Sequence, residues 1–247
     1  IGMSHLGIKI LYGAMNEIPY FWCERVFAPW VDMEEEMRRE DISLYALESG
    51  DPVSQFDFIG FTLQYELSYT NVLNMLELAG IPLRSKDRHG LFNIVVGGGP
   101  CACNPEPLAD FFDIFFLGDG EEVDIEVMEL YRQCKKEGKT KLEFLDRAAQ
   151  IEGVYVPAFY EVAYNEDGTV KAYTPTNGAP ATVKKRAIMD MNKAYYPKDF
   201  VVPLIDVVHN RISEEVLRGC IRGCRFCQAG FLYRPYREKS METIDRQ

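Results

Sequence analysis

Apolar positions recur at helical spacing almost from the first residue. Leu6, Ile10, Leu11 and Met15 in SHLGIKILYGAMN predict a helix over 4–16. VDMEEEMRRE predicts a second helix over 31–40, acidic first and then basic. Four apolar runs of strand length follow: ISLYAL at 42–47, FDFIGFTL at 56–63, FNIVV at 92–96 and IFFL at 114–117. Between the second and third lies SYTNVLNMLELA, a helix over 68–79 ended by Gly80 and Pro82. A short helix is expected around 105–111, and Gly118-Asp119-Gly120 opens a long one over 121–137.

Strands that alternate with helices and carry near-continuous apolar residues predict a parallel sheet covered on both faces. The expected fold class is α/β, a doubly wound parallel sheet of flavodoxin-like order, over residues 1–148. A helix stands first with no strand before it, so the first strand of such a sheet would lie upstream of Ile1, at the centre of that order. The pattern changes after residue 150. VYVPAFYEVAYNEDGTVKAYT alternates aromatic and polar residues around Asn165-Glu166-Asp167-Gly168, the signature of a β-hairpin. Residues 149–212 therefore read as a linker with a hairpin. SEEVLR at 213–218 reads as a strand opening a third segment, 213–247.

The chain has 247 residues, 47% of them hydrophobic, enough for a sizeable core. Its net charge of −11 argues against broad electrostatic binding of nucleic acid. The basic run Lys184-Lys185-Arg186 reads as solvated. No apolar run approaches the roughly 20 residues of a membrane span, and residues 1–15 lack a basic leader. Seven cysteines, an odd count, fit reduced cytoplasmic thiols and a metal centre better than a disulfide framework. A start at Ile1 and an end soon after the last cysteine read as a piece of a longer protein.

Candidate chemistry concentrates in RGCIRGCRFCQAGF. Cys220, Cys224 and Cys227 follow a CxxxCxxC spacing, with Phe226 just before the last thiol. Thiolates suit iron–sulfur clusters and zinc. Zinc modules usually draw a second close pair from elsewhere, and no second CxxC exists here. Three thiolates on a 4Fe–4S cube leave one iron without a protein ligand. The competing reading is a zinc-binding interaction or sensor module, with one distant Cys or His completing the set.

The CxxxCxΦC pattern, with Φ aromatic, resembles the cluster loop of radical S-adenosylmethionine enzymes. The resemblance implies a 4Fe–4S cluster on Cys220, Cys224 and Cys227, with S-adenosylmethionine chelated by the open iron. Reductive cleavage would yield methionine and a 5′-deoxyadenosyl radical, and Phe226 would lie near the adenine. It further implies the first βα step of a radical SAM barrel over 213–247 and an electron donor such as flavodoxin or ferredoxin. The substrate and the catalytic residues that contact it stay unassigned.

A second string, VVGGGPCACNPEPLADFFDIFFLGDGEE, places glycines after a parallel strand, where backbone can approach a ligand closely. It is not GxGxxG, and no nicotinamide site is read from it. It is similar to the cobalamin-binding domains that precede many radical SAM barrels, through Gly97 to Pro100, Pro105-Glu106 and Gly118 to Glu121. The resemblance implies cobalamin on the Gly97, Gly98 and Gly99 turn. The DxHxxG loop of cobalamin mutases is not matched. His5, in Met3-Ser4-His5-Leu6-Gly7, stands as the candidate axial ligand, against a plain helix histidine. Cys101 and Cys103 read as small residues filling a turn, against extra metal ligands near the cofactor edge, Cys23 and Cys134 as buried hydrophobes, and His89 and His209 as surface residues.

Overall fold

The computed structural model describes residues 2–202, 204, 206–207 and 211–247; His209 lies outside them. In chain order the elements are α1 (Leu6–Asn16), α2 (Val31–Arg39), β1 (Phe58–Thr62), α3 (Tyr69–Leu78), β2 (Ile94–Gly98) and β3 (Ile114–Phe116). Next come α4 (Gly120–Lys136), α5 (Lys141–Ala148), β4 (Val154–Tyr155), β5 (Tyr160–Tyr164) and β6 (Val170–Pro175). The last part holds β7 (Leu217–Arg218), α6 (Ala229–Leu232), β8 (Arg237–Glu238) and α7 (Met241–Arg246). The backbone gathers into two compact units, one of Ala28–Arg186 and one of Ile1–Phe27 with Ala187–Gln247. These units do not coincide with boundaries at 148 and 212.

The Ala28–Arg186 unit is a mixed α/β fold on a four-stranded sheet in the order β1-β2-β3-β4. β1, β2 and β3 run parallel, with Phe58 opposite Ile94 and Val96 opposite Ile114. β4 closes the edge antiparallel, with Phe115 opposite Tyr155. Every residue of β3 and the first four of β2 are buried, so both faces of these strands are covered, as their unbroken apolar runs require. Ile94, Val96, Ile114 and Phe116 pack with Val123, Val127, Tyr131 and Cys134 of α4 and Phe144 and Leu145 of α5. The ring of Phe112 stacks on Phe115 with centroids 4.7 Å apart.

Local chemistry sets the element ends. Glu121 and Glu122 open α4 and Lys135 and Lys136 end it, complementing the helix dipole. Thr140 and Glu143 form a reciprocal capping box at the start of α5. The hairpin forms where the alternation predicted it: β5 pairs antiparallel with β6, and the Gly168 N–H donates to Asn165 O at 3.0 Å.

Four expectations change. The run 42–47 is not a strand of the sheet; Tyr45 makes only an isolated antiparallel bridge to Pro52. The Ala46 N–H donates to Asp51 O and the Val53 N–H to Leu44 O, so Gly50, Asp51 and Pro52 fold the run back on itself. The fourth sheet strand is instead β4, from the stretch expected to serve only the hairpin and linker. The helix around 105–111 shrinks to a single turn at Glu106–Leu108. The strand expected over 213–218 narrows to Leu217–Arg218, which pairs antiparallel with β8. Upstream of it, the Ser213 carbonyl is taken by the Tyr196 hydroxyl and Glu215 by Arg218, interactions outside any ladder.

The other unit rests on α1. His5 caps it, its Nδ1 accepting from the Ile8 N–H at 3.1 Å. Asn16 at its end exchanges two 3.0 Å hydrogen bonds with the Cys23 backbone. The Tyr195 hydroxyl donates to Glu17 at 3.1 Å, and Ile188, Met191 and Ala194 form a small core.

Candidate functional site

The chain enters the cysteine loop through Arg218, whose guanidinium grips both Glu215 carboxylate oxygens at 2.8 and 2.9 Å. Gly219 follows at φ +96°, a left-handed conformation that favours glycine. Cys220 and Cys227 are half-buried and Cys224 is exposed. The Cys227 N–H donates to Cys224 O at 3.1 Å, so the CxxC half of the motif is a tight turn that hands the chain to α6. Phe226, between them, is 92% exposed.

No disulfide joins any of the seven cysteines. The donor set, three thiols on one short loop, suits a soft metal centre. The three sulfurs are not gathered, however: among the described residues no group of three or more His, Cys, Asp or Glu is placed to hold a metal ion. Neutral thiols gain nothing by converging; the bonds that draw thiolates to a common centre are the metal's own.

The remaining cysteines serve elsewhere. Cys134 is fully buried in the sheet core, and burial pushes its thiol up. Cys101 is buried beside Tyr69 and Glu66; burial, then the Glu66 charge, raises its thiol, an inert rather than reactive setting. Burial likewise pushes the Tyr69 phenol up to about 12. Cys103 is exposed and Cys23 half-buried.

The glycine turn is committed to its own protein. A Cβ on Gly97 would lie 2.8 Å from the Phe112 ring, and one on Gly99, at φ +94°, would lie 3.0 Å from Leu63 O. The Leu63 N–H donates to Gly98 O at 2.7 Å and the Cys101 N–H to Leu63 O at 3.0 Å, lacing the turn to the end of β1. Only Gly98 has room, its nearest neighbour being Phe116 Cβ at 3.9 Å. His5 belongs to the unit that does not contain this turn, and its Nδ1 is engaged in the α1 cap. His89 is exposed. The basic run is partly committed too: Lys184 pairs with Glu152, and Arg186 with Glu122 and Glu126.

Two buried features had no sequence signal. Asp113 is fully buried with Arg88 and Lys141 around it. Asp124 on α4 is buried with Oδ1 lacking a hydrogen-bond partner among the described residues. Burial, and then the charge of Glu121, pushes its carboxyl up to about 8. No described helix is long and apolar enough to cross a membrane.

The family model for radical SAM proteins, N-terminal, matches residues 7–157. An uncharacterized protein of Methanocaldococcus jannaschii is 30% identical over 212 residues, 83% of this chain and 37% of that protein's length. The chain thus spans well under half of this relative. The matched family segment contains the whole parallel sheet, and the chain belongs to the radical SAM proteins that carry this N-terminal domain.

Proposed function

We propose that this chain is part of a radical SAM enzyme in which Cys220, Cys224 and Cys227 hold a 4Fe–4S cluster. The observation that carries the proposal is the CxxxCxxC spacing within one loop, in a chain of this family and with no disulfide on the three thiols. When bound, the cluster supplies the electron that cleaves S-adenosylmethionine to a 5′-deoxyadenosyl radical. The protein's part is binding, orientation and exclusion of water. Three thiolates fix the cluster and leave one iron open. Phe226, on the turn between Cys224 and Cys227, offers a flat apolar face to the adenine. A one-electron donor of the flavodoxin or ferredoxin type is the partner this chemistry requires. The substrate pocket is not assigned to any residue here.

Cobalamin has no supporting observation. Gly97 and Gly99 are accounted for by Phe112 and Leu63, and His5 by the α1 cap, while Gly98, the remaining residue of the expected turn, has open space beside it. The proposal does not include it.

The test is to incubate anaerobically reconstituted protein, within its longer parent, with S-adenosylmethionine and a strong reductant. Formation of 5′-deoxyadenosine supports the proposal. A colourless protein that binds stoichiometric zinc and forms none would replace it with the zinc-module reading, since zinc is d¹⁰ and redox-silent.

A further inference from the structure

We infer that the β7/β8 ribbon is a clasp that closes the neck of the cysteine loop, with Gly219 and Arg237 as its positioning residues. The inference rests on the cluster reading above and goes beyond it, by assigning residues outside the motif a role in how firmly the metal is held.

The loop leaves β7 at Gly219 and returns through Tyr233 to Pro235 into β8. At the neck the two strands of chain touch backbone to backbone. A Cβ on Gly219 would lie 2.7 Å from Pro235 O, 2.8 Å from Tyr233 O and 2.8 Å from Tyr236 Cα. All three are main-chain atoms, which cannot swing aside as a side chain can. A second close approach crosses the loop's middle, where a Cβ on Gly230 of α6 would lie 2.8 Å from Arg222 O. Arg222 sits between Cys220 and Cys224, so α6 backs directly onto the stretch that carries the first two thiols.

The returning strand is anchored from behind. Arg237 is buried; its Nη1 donates to Ile188 O at 2.9 Å and its Nε to Pro235 O at 2.9 Å. Lys239 is also buried. Its backbone N–H donates to Val216 O at 3.0 Å, its Nζ to Gln247 Oε1 at 2.7 Å, and its ammonium lies 4.6 Å from the Tyr196 ring centroid. The neck is therefore anchored through two buried side chains, Arg237 and Lys239, although Leu217, Tyr233 and Tyr236 beside them are exposed, as is the tip with Ile221, Cys224 and Phe226. A closed neck removes much of the chain entropy that gathering three thiolates would otherwise cost, because the loop ends no longer need to be brought together. Loosening the neck should raise the rate at which the metal escapes without altering any ligand.

The test compares wild type, Gly219→Ala, Arg237→Gln and the control Gly178→Ala. Gly178 shares a positive φ, +69°, but a Cβ there meets nothing within 4 Å, so it carries the backbone strain without the neck. Each protein is loaded anaerobically with iron and sulfide, and the loss of iron to a ferrous chelator is timed. Thermal unfolding by circular dichroism runs in parallel. Gly219→Ala and Arg237→Gln are expected to lose iron about tenfold faster than wild type, with Gly178→Ala at the wild-type rate and equal melting of the sheet. If Gly219→Ala fails to fold, Arg237→Gln carries the comparison alone. Wild-type iron retention in Arg237→Gln and any folded Gly219→Ala overturns the clasp while leaving the cluster reading intact, as does equally fast loss from Gly178→Ala. A wild type that takes up no iron refutes the cluster reading, and the clasp with it.

Discussion

Asp113→Ala should be among the most damaging single substitutions in the sheet unit. The Asp113 side chain is fully buried, as Arg88 nearly is, at 0% and 2% exposure. Asp113 Oδ2 accepts from Arg88 Nη2 at 3.0 Å and from the Val95 N–H at 2.8 Å. Its Oδ1 accepts from the Ser85 hydroxyl and pairs with Lys141 Nζ at 2.6 Å. Arg88 also donates to the carbonyls of Pro82, Leu83 and Phe111. One carboxylate thus joins β2, the start of β3, the 82–88 segment and the first residue of α5. Removing it leaves a guanidinium buried without its counter-ion, which costs about 3–5 kcal/mol. Set against total stabilities of about 5–15 kcal/mol, that is a large fraction. Replacing both partners with apolar residues, as in Asp113→Leu with Arg88→Met, should cost less than Asp113→Ala, because the guanidinium is no longer stranded and the Lys141 ammonium, which also loses its counter-ion, keeps the Ser85 and Arg88 carbonyls as acceptors. Urea denaturation followed by circular dichroism, with linear extrapolation, measures both. An Asp113→Ala protein within about 0.5 kcal/mol of wild type would refute the reasoning, since surface-like effects are of that size.

Three further outcomes are expected. Gly97→Ala should destabilise by about 1–3 kcal/mol because its Cβ would overlap the Phe112 ring, whereas Gly98→Ala should cost less than about 1 kcal/mol; equal losses would remove packing as the reason for the glycines. Asp124 is protonated more tightly when folded, with its carboxyl raised to about 8, so its contribution to stability should fall as pH rises from about 4 to 8. Asp124→Asn should flatten that decline and raise stability at neutral pH; an unchanged pH profile of urea midpoints would contradict the burial of a costly charge. Phe226→Ala should keep its iron and bind S-adenosylmethionine more weakly by calorimetry, and equal affinity would take the ring out of the adenine site.

The parallel strands were legible because buried strands write continuous apolar runs: FIGFT, IVVGG and IFF each appear where those runs lie. ISLYAL carries the same signature, yet Gly50-Asp51-Pro52 turns its backbone on itself, a contact that hydropathy does not encode. β4 has two residues and leaves no periodic trace. Asp113 could be seen only as a break in FFDIFFLG, because its partners Arg88 and Lys141 sit 25 and 28 positions away in sequence. The cysteines were readable as a spacing, since all three thiols are local. Gly219 looked like a flank of the motif, and the reason for it, the carbonyls of Tyr233 and Pro235, appears only when the loop closes. The grouping of α1 with 187–247 had no sequence signal at all.

The central claim is that three cysteines, and those three alone, hold the metal. Iron and sulfide content with visible absorption, measured on anaerobically reconstituted wild type and on Cys220→Ala, Cys224→Ala, Cys227→Ala, Cys101→Ala and Cys103→Ala, tests it directly. The prediction is a brown wild type with roughly four iron atoms per chain, loss of iron in each of the first three variants, and wild-type content in the last two. Full iron content in Cys224→Ala, or its loss in Cys101→Ala or Cys103→Ala, would contradict the assignment.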